Sequence, residues 1–157
     1  MNMNIRFATN EDISGMLRLL EQVGAVHHRI RPDLFRPGAL KYDAAALQKL
    51  LADSSRPILI AEIQGTVAGY AFCVIKITEN DSVLADSKSL YIDDLCVEET
   101  LRGQGIARAL YARVTEFARE LGCNTITLNV WCGNDGAMRF YEKAGLLPRN
   151  IMMEYKL

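Results

Sequence analysis

A strand-like run, LYIDDLCV from Leu90 to Val97, leads within a few residues into RGQGIA and then into the apolar-periodic stretch IARALYARVTEFARE. This order of strand, glycine loop and helix constrains the fold more than any other part of the chain. A helix starts with N–H groups that have no intrahelical partner, at the positive end of its dipole. A glycine loop running into that start can aim several backbone donors at one anion, and phosphate is the natural ligand. Gly103 and Gly105 permit close backbone approach, while Arg102 or Arg108 can add charge-assisted hydrogen bonds. Taken alone, the loop leaves open a plain glycine turn with solvated arginines. The G-x-x-x-x-G-K-[ST] loop is absent, and a dinucleotide fingerprint needs Gly or Ala where Arg108 stands.

The remaining chain predicts the setting. A strand around Ile5 to Phe7 precedes Thr9 and Asp12, whose spacing resembles a capping box opening a helix through Val23. GAVHHRIRPDLFRPG, with Pro32, Pro37 and Gly38, predicts a loop that holds His27 and His28 and is locally basic. A helix is expected around Asp43 to Ala52, then a hairpin of RPILIAEI and TVAGYAFCVIKIT turning at Gln64 and Gly65. A polar connection, Glu79 to Ser89, leads to LYIDDLCV. The helix from Gly105 to Leu121, the strand NTITLNVW, a helix from Asp135 to Ala144 and a last strand from Ile151 to Lys156 complete the order. Without repeats or a linker, residues 1–157 read as a single α/β domain with a mixed sheet.

Charge and cysteine usage narrow the function classes. The chain carries 18 basic and 19 acidic side chains, a net charge of −1, which argues against nucleic acid and membrane surfaces as partners. MNMNIRFATNEDI has no basic segment followed by an apolar one, so a cytoplasmic protein is expected. Cys73, Cys96, Cys123 and Cys132 lack metal-ligand or redox spacing and read as reduced thiols, with no metal implied.

Two ordered motifs carry a resemblance. Arg102, Gly105 and Ala107 fit the pattern R/Q-x-x-G-x-G/A. Asn134, Ala137, Tyr141 and Gly145 fit N-x-x-A-x-x-x-Y-x-x-x-G-F, with Leu146 in place of the usual phenylalanine. In both, the chain resembles the GNAT superfamily of N-acetyltransferases. The resemblance implies a mostly antiparallel mixed sheet with helices on both faces and a splayed parallel strand pair, LYIDDLCV and NTITLNVW. Acetyl-CoA, the implied cosubstrate, would lie between those strands. Its pyrophosphate would sit on Arg102, Gly103, Gln104, Gly105, Ile106, Ala107 and Arg108. Its pantetheine arm would pair with the backbone of Leu95, Cys96 and Val97, whose N–H groups would polarise the thioester carbonyl. Asn134 would order the cofactor or a water, and as an N-cap could also start the last helix.

The implied reaction is direct acetyl transfer to a primary amine of a small molecule or peptide. Tyr141 would protonate the departing thiolate, and it could equally be a core tyrosine. Asp93 stands where polyamine-acetylating members carry a glutamate working through water. Asp93 and Asp94 are adjacent on a strand, so regular alternation would send them to opposite faces and leave one for the site. Cys96 and Cys132 have no accompanying histidine by motif and are not expected as covalent carriers. The other reading is a non-catalytic acyl-CoA-binding or regulatory module. Arg29, Arg31 and Arg36 suggest an acceptor bearing a carboxylate or phosphate beside its amine. The resemblance also allows a homodimer.

Overall fold

The computed structural model describes residues 2–157. Five strands, β1 (Met3–Phe7), β2 (Ile58–Ile63), β3 (Thr66–Thr78), β4 (Ser87–Val97) and β5 (Thr125–Leu128), form one sheet in chain order. The first three junctions are antiparallel; β4 and β5 are parallel, from Ser89 opposite Thr125 to Ile92 opposite Leu128. The β2–β3 hairpin turns on Gln64 (φ 51°) and Gly65 (φ 74°), two left-handed residues whose twist matches that of the flanking strands.

Apolar alternation decides the layers. In β2, Ile58 and Ile60 face one side while Leu59 and Ala61 face the other, and all four are buried. Helices α1 (Ile13–Ile30) and α2 (Ala44–Leu51) cover the first face, bringing Met16, Leu19, Leu20 and Leu47 against Ile58, Ile60, Tyr70 and Phe72. Helix α3 (Ile106–Glu120) covers the second, where Ile106, Leu110, Val114 and Ala118 meet Leu59, Ala61, Ala71, Leu90 and Ile92. Helix α4 (Asp135–Lys143) follows β5. No helix among the described residues is long and apolar enough to cross a membrane.

The expected capping box forms: the Asp12 carboxylate accepts from the Thr9 backbone N–H at 2.7 Å and opens a short 3₁₀ turn ahead of α1. Asp12 also takes two hydrogen bonds from Arg6, at 2.8 and 3.0 Å, tying the start of α1 to β1.

Two elements differ from the expectations. Helix α1 does not stop at Val23 but runs to Ile30, so His27 and His28 lie in its last turns and not in a loop. Gly24 is tolerated inside the helix because it makes room for the returning chain. A Cβ there would stand 2.7 Å from the carbonyl oxygen of Ala39. The expected last strand from Ile151 to Lys156 does not form; after Gly145 the chain continues without helix or ladder. A strand needs a neighbour, and the sheet ends at β5, whose far edge is open.

Candidate active site

The site is organised by an irregularity in β4. Its pairing with β3 runs from Val97 opposite Gly69 to Asp94 opposite Phe72, then resumes with Ile92 opposite Cys73, so Asp93 is an extra residue. Such a bulge sets two consecutive side chains on one side of the sheet and bends the strand. Ile92 packs toward α3, as do Leu95 and Val97, while Asp93 and Asp94 both turn toward α1 and α2. The expectation that these carboxylates face opposite ways is therefore corrected: regular alternation fails at the bulge.

Each carboxylate meets a tyrosine that packs on Phe72. The Tyr42 hydroxyl donates to Asp93 Oδ2 at 2.6 Å, and the Tyr70 hydroxyl donates to Asp94 Oδ2 at 2.7 Å. Lys41 Nζ lies 3.0 Å from Asp93 Oδ1 and donates to the Asp93 carbonyl at 3.1 Å. Asp93 is thus held on both oxygens, whereas Asp94 has one phenol. Burial pushes the Asp94 carboxyl above the ordinary carboxylate range, against the opposing pull of Tyr70, Lys41 and His27. Burial also lowers His27, which the Asp94 charge partly offsets, so its ring is neutral at pH 7. The ring stacks on Phe35, with centroids 5.0 Å apart, and Phe35 in turn meets Trp131 edge-on at 5.1 Å.

Tyr141 projects from α4 into an aromatic group with Phe140 and Tyr111, at 5.1 and 6.3 Å between centroids. Burial first, and the Asp94 charge second, raise its phenol well above the usual value, so it keeps its proton at neutral pH. Packing and proton donation are compatible here. Asn134 caps α4, its side-chain oxygen accepting from Ala137 N at 3.3 Å.

Between Asp94 and the glycine loop, β4 outruns its parallel neighbour. Pairing with β5 ends at Ile92, and the edge of Leu95, Cys96 and Val97 facing away from β3 has no strand beside it. The loop behind it places Gly103 at φ 79° and Gly105 at φ 83°, left-handed conformations that any side chain would strain. Among the described residues, the first N–H at the start of α3 with a backbone acceptor is that of Ala109, on Gly105 at 3.0 Å. The donors of Gly103, Gln104, Gly105, Ile106, Ala107 and Arg108 are left for a ligand. A Cβ at Gly103 or Gly105 would meet nothing within 4 Å, so the space over the loop is open. Arg102 and Arg108 are exposed, and Arg102 Nε makes one long bond, 3.4 Å, to the Val97 carbonyl. An unpaired strand edge and a nest of free donors fit an acyl-pantetheine arm and its pyrophosphate.

Other candidates stand apart. Burial pushes the Cys96 thiol up to about 12, which leaves it unreactive; Cys132 is exposed. No group of three or more His, Cys, Asp or Glu that could hold a metal occurs among the described residues. Arg31 is engaged by Asp33, at 2.8 and 2.7 Å, and by Glu154 at 2.6 Å, so it is not a free anchor for an anionic acceptor. Sequence reasoning missed Tyr42, Tyr70 and Lys41 and placed His27 in a loop. Tyr70 is visible only as one aromatic in an apolar strand; the signal for His27 was its i+4 and i+8 spacing from Val23 and Leu19.

Comparisons with known proteins agree with this geometry. The model of the acetyltransferase (GNAT) family matches residues 23–146. Over 74 residues the chain is 34% identical to YdgE, described as an uncharacterized N-acetyltransferase of Bacillus subtilis, covering 47% of each chain. The chain spans about half the length of the curated relatives it matches. Among solved structures, the tetramutant of BH1408 protein from Bacillus halodurans is 28% identical with a TM-score of 0.94, over 98% of this chain and 99% of that one. An aminoglycoside N-acetyltransferase, AAC(6')-Iy, solved in complex with CoA, shares the fold at 16% identity and a TM-score of 0.73, over 99% and 95% of the two chains. The matched segment takes in the bulged strand, the glycine loop and the helix of Tyr141 together, and the chain belongs to the acetyltransferase (GNAT) family.

Proposed function

We propose that the protein is an acetyl-CoA-dependent N-acetyltransferase that moves the acetyl group directly to a primary amine of a small molecule or peptide. The observation that carries this reading is the bulge at Asp93, which sets two carboxylates on one face of β4 beside the strand edge left free by β5. A module that only bound acyl-CoA would need the loop and the edge, but not a half-buried carboxylate with a raised pKa whose charge is felt by a protonated phenol.

Acetyl-CoA supplies an acetyl group already activated as a thioester. The backbone donors from Gly103 to Arg108 would hold its pyrophosphate, with Arg102 and Arg108 adding charge, and the edge of Leu95, Cys96 and Val97 would align its arm. Asp94, a stronger base than an ordinary carboxylate, takes the proton of the acceptor amine. Asp93, fixed by Lys41 and Tyr42, shapes and charges the wall beside it. The Tyr141 phenol gives its proton to the sulfur as the amide bond forms. The acceptor enters as an ammonium, drawn by Asp93 and Asp94 along the packed rings of His27, Phe35 and Trp131.

The test is thiol release from acetyl-CoA against a panel of cationic amines, amino acids and peptides. Turnover of cationic amines above acidic ones is expected. Full CoA affinity with no turnover of any amine would refute the enzyme reading and leave the binding module.

A further inference from the structure

The acidic pair on β4 already has an ammonium beside it. Lys41, in the loop between α1 and α2, places Nζ 3.0 Å from Asp93 Oδ1 and 3.1 Å from the Asp93 carbonyl oxygen, while the Tyr42 hydroxyl donates to Asp93 Oδ2 at 2.6 Å. Among the described residues Lys41 is the one cation within 4 Å of either carboxylate. Its backbone is anchored on both sides. Two residues before it, the Ala39 carbonyl lies against Gly24 of α1; after it, the Tyr42 ring packs on Phe72 and Asp43 caps α2, accepting from Ala46 N at 2.8 Å.

With Asp94 ionised, Asp93, Asp94 and Lys41 together carry one net negative charge, to which the neutral His27 adds nothing. Burial raises the Asp94 carboxyl and Lys41 is among the charges that pull it back, so one ammonium acts on both carboxylates. An acceptor ammonium that gives its proton to Asp94 cancels that net charge. A second ammonium on the same acceptor then finds Asp93 already paired and meets Lys41 as a like charge. The neighbouring groups offer no relief: Arg56 lines the same wall as Tyr42 and Asp93, and Lys76 Nζ lies 4.1 Å over the Tyr91 ring.

We propose that Lys41 is a specificity-determining residue that restricts the acceptor to amines with no second positive charge close to the reacting nitrogen. The inference deepens the acetyl-transfer reading and rests on it. The acceptor class it names is a primary amine whose neighbouring groups are neutral; short polyamines are excluded. Two like charges about 6 Å apart in a half-solvated wall lower binding by a factor of about 10. That factor fades once the second charge lies beyond a Debye length, ~8–10 Å.

The test compares kcat/KM, by thiol release, for each diamine and the amino alcohol of equal chain length, which ends in a neutral polar group. For the wild type the four-carbon amino alcohol should exceed tetramethylenediamine at least ~10-fold, and the eight-carbon alcohol should exceed octamethylenediamine by less than about threefold. Lys41→Gln keeps an N–H donor for the Asp93 carbonyl and loses the charge, so it should close the four-carbon gap; Lys41→Arg should retain it. Each ratio is taken on one protein, so a change in folded fraction cancels, and the wild-type gap and its loss with chain length stand even if a variant does not fold. Tetramethylenediamine turned over by the wild type as well as its amino alcohol, a gap as large for the eight-carbon pair, or a four-carbon gap unchanged in Lys41→Gln would each overturn the role of Lys41 while leaving acetyl transfer intact. No turnover of any amine would overturn both.

Discussion

Replacing Asp94 with asparagine separates proton transfer from everything else the site does. The Tyr70 hydroxyl can still donate to the amide oxygen, so the 2.7 Å contact and the packing of Tyr70 on Phe72 survive. What disappears is a proton acceptor. General-base assistance contributes about 10²–10⁴-fold, so kcat/KM should fall by that factor, equivalent to about 3–5 kcal/mol of barrier, with CoA affinity unchanged. The pH profile carries a second signature. Below its folded pKa, Asp94 is protonated and cannot accept, so wild-type activity falls as pH drops through a value above the ordinary ~3.9 of an aspartate. The variant should lack that acid limb. The sign of the stability effect is the reverse of the usual carboxylate case. Because the folded pKa is raised, ionised Asp94 costs stability once the pH is above that pKa, and Asp94→Asn should melt no lower than wild type at pH 7. The assay is thiol release at saturating acetyl-CoA across pH, with calorimetric melting alongside. Activity within about threefold of wild type, or an acid limb that persists but shifts downward, would refute the assignment. The second result would name His27, whose pKa the Asp94 charge raises.

Three further outcomes test other parts of the structure. Gly105→Val places a branched side chain at φ 83°, straining the loop by about 1–2 kcal/mol and crowding its free donors, so CoA affinity by calorimetry should drop at least ~10-fold. Tyr141→Phe should lower turnover by ~10²-fold or more while CoA affinity holds; wild-type turnover would return Tyr141 to packing alone. Burial raises the Asp12 carboxyl, but Arg6 and the Thr9 N–H outweigh it and hold it below the ordinary range. Its contribution is therefore present above the unfolded carboxylate pKa and lost as pH falls through the folded one. Asp12→Asn should cost about 1–3 kcal/mol in urea unfolding at pH 7, allowing for the partial exposure of Arg6, and progressively less in acid.

The glycine loop and the start of α4 are legible in the sequence because they are written locally. Gly103 and Gly105 hold positive φ, and the phenol of Tyr141 sits seven residues past the cap at Asn134. The cluster proposed to receive the acceptor is not, because it is assembled from distant segments. Tyr42, Tyr70, Asp94 and His27 converge only after α1 and the following loop fold onto β3 and β4. Helix α1 is expected to be short because Pro32, Pro37 and Gly38 mark the following segment as a loop; those residues act only beyond Ile30, and Gly24 inside the helix is accommodated by the close passage of Ala39. A bulge leaves no mark in residue types, so DD on a strand was read by alternation. The last strand was expected from its period of two, and period alone says nothing about a partner.

The extra residue in β4 also makes the site depend on a count. Deleting Asp93 would let β3 and β4 zip without interruption while Ile92, Leu95 and Val97 kept their places toward α3. The shortened chain would have the same core and a more regular ladder, and would lose only the Asp93 contacts with Tyr42 and Lys41. It would also have a straighter β4, with no bend to carry residues 95–97 away from β5. The gap where a thioester arm could lie would close because of one missing residue, with every side chain of the glycine loop still in position.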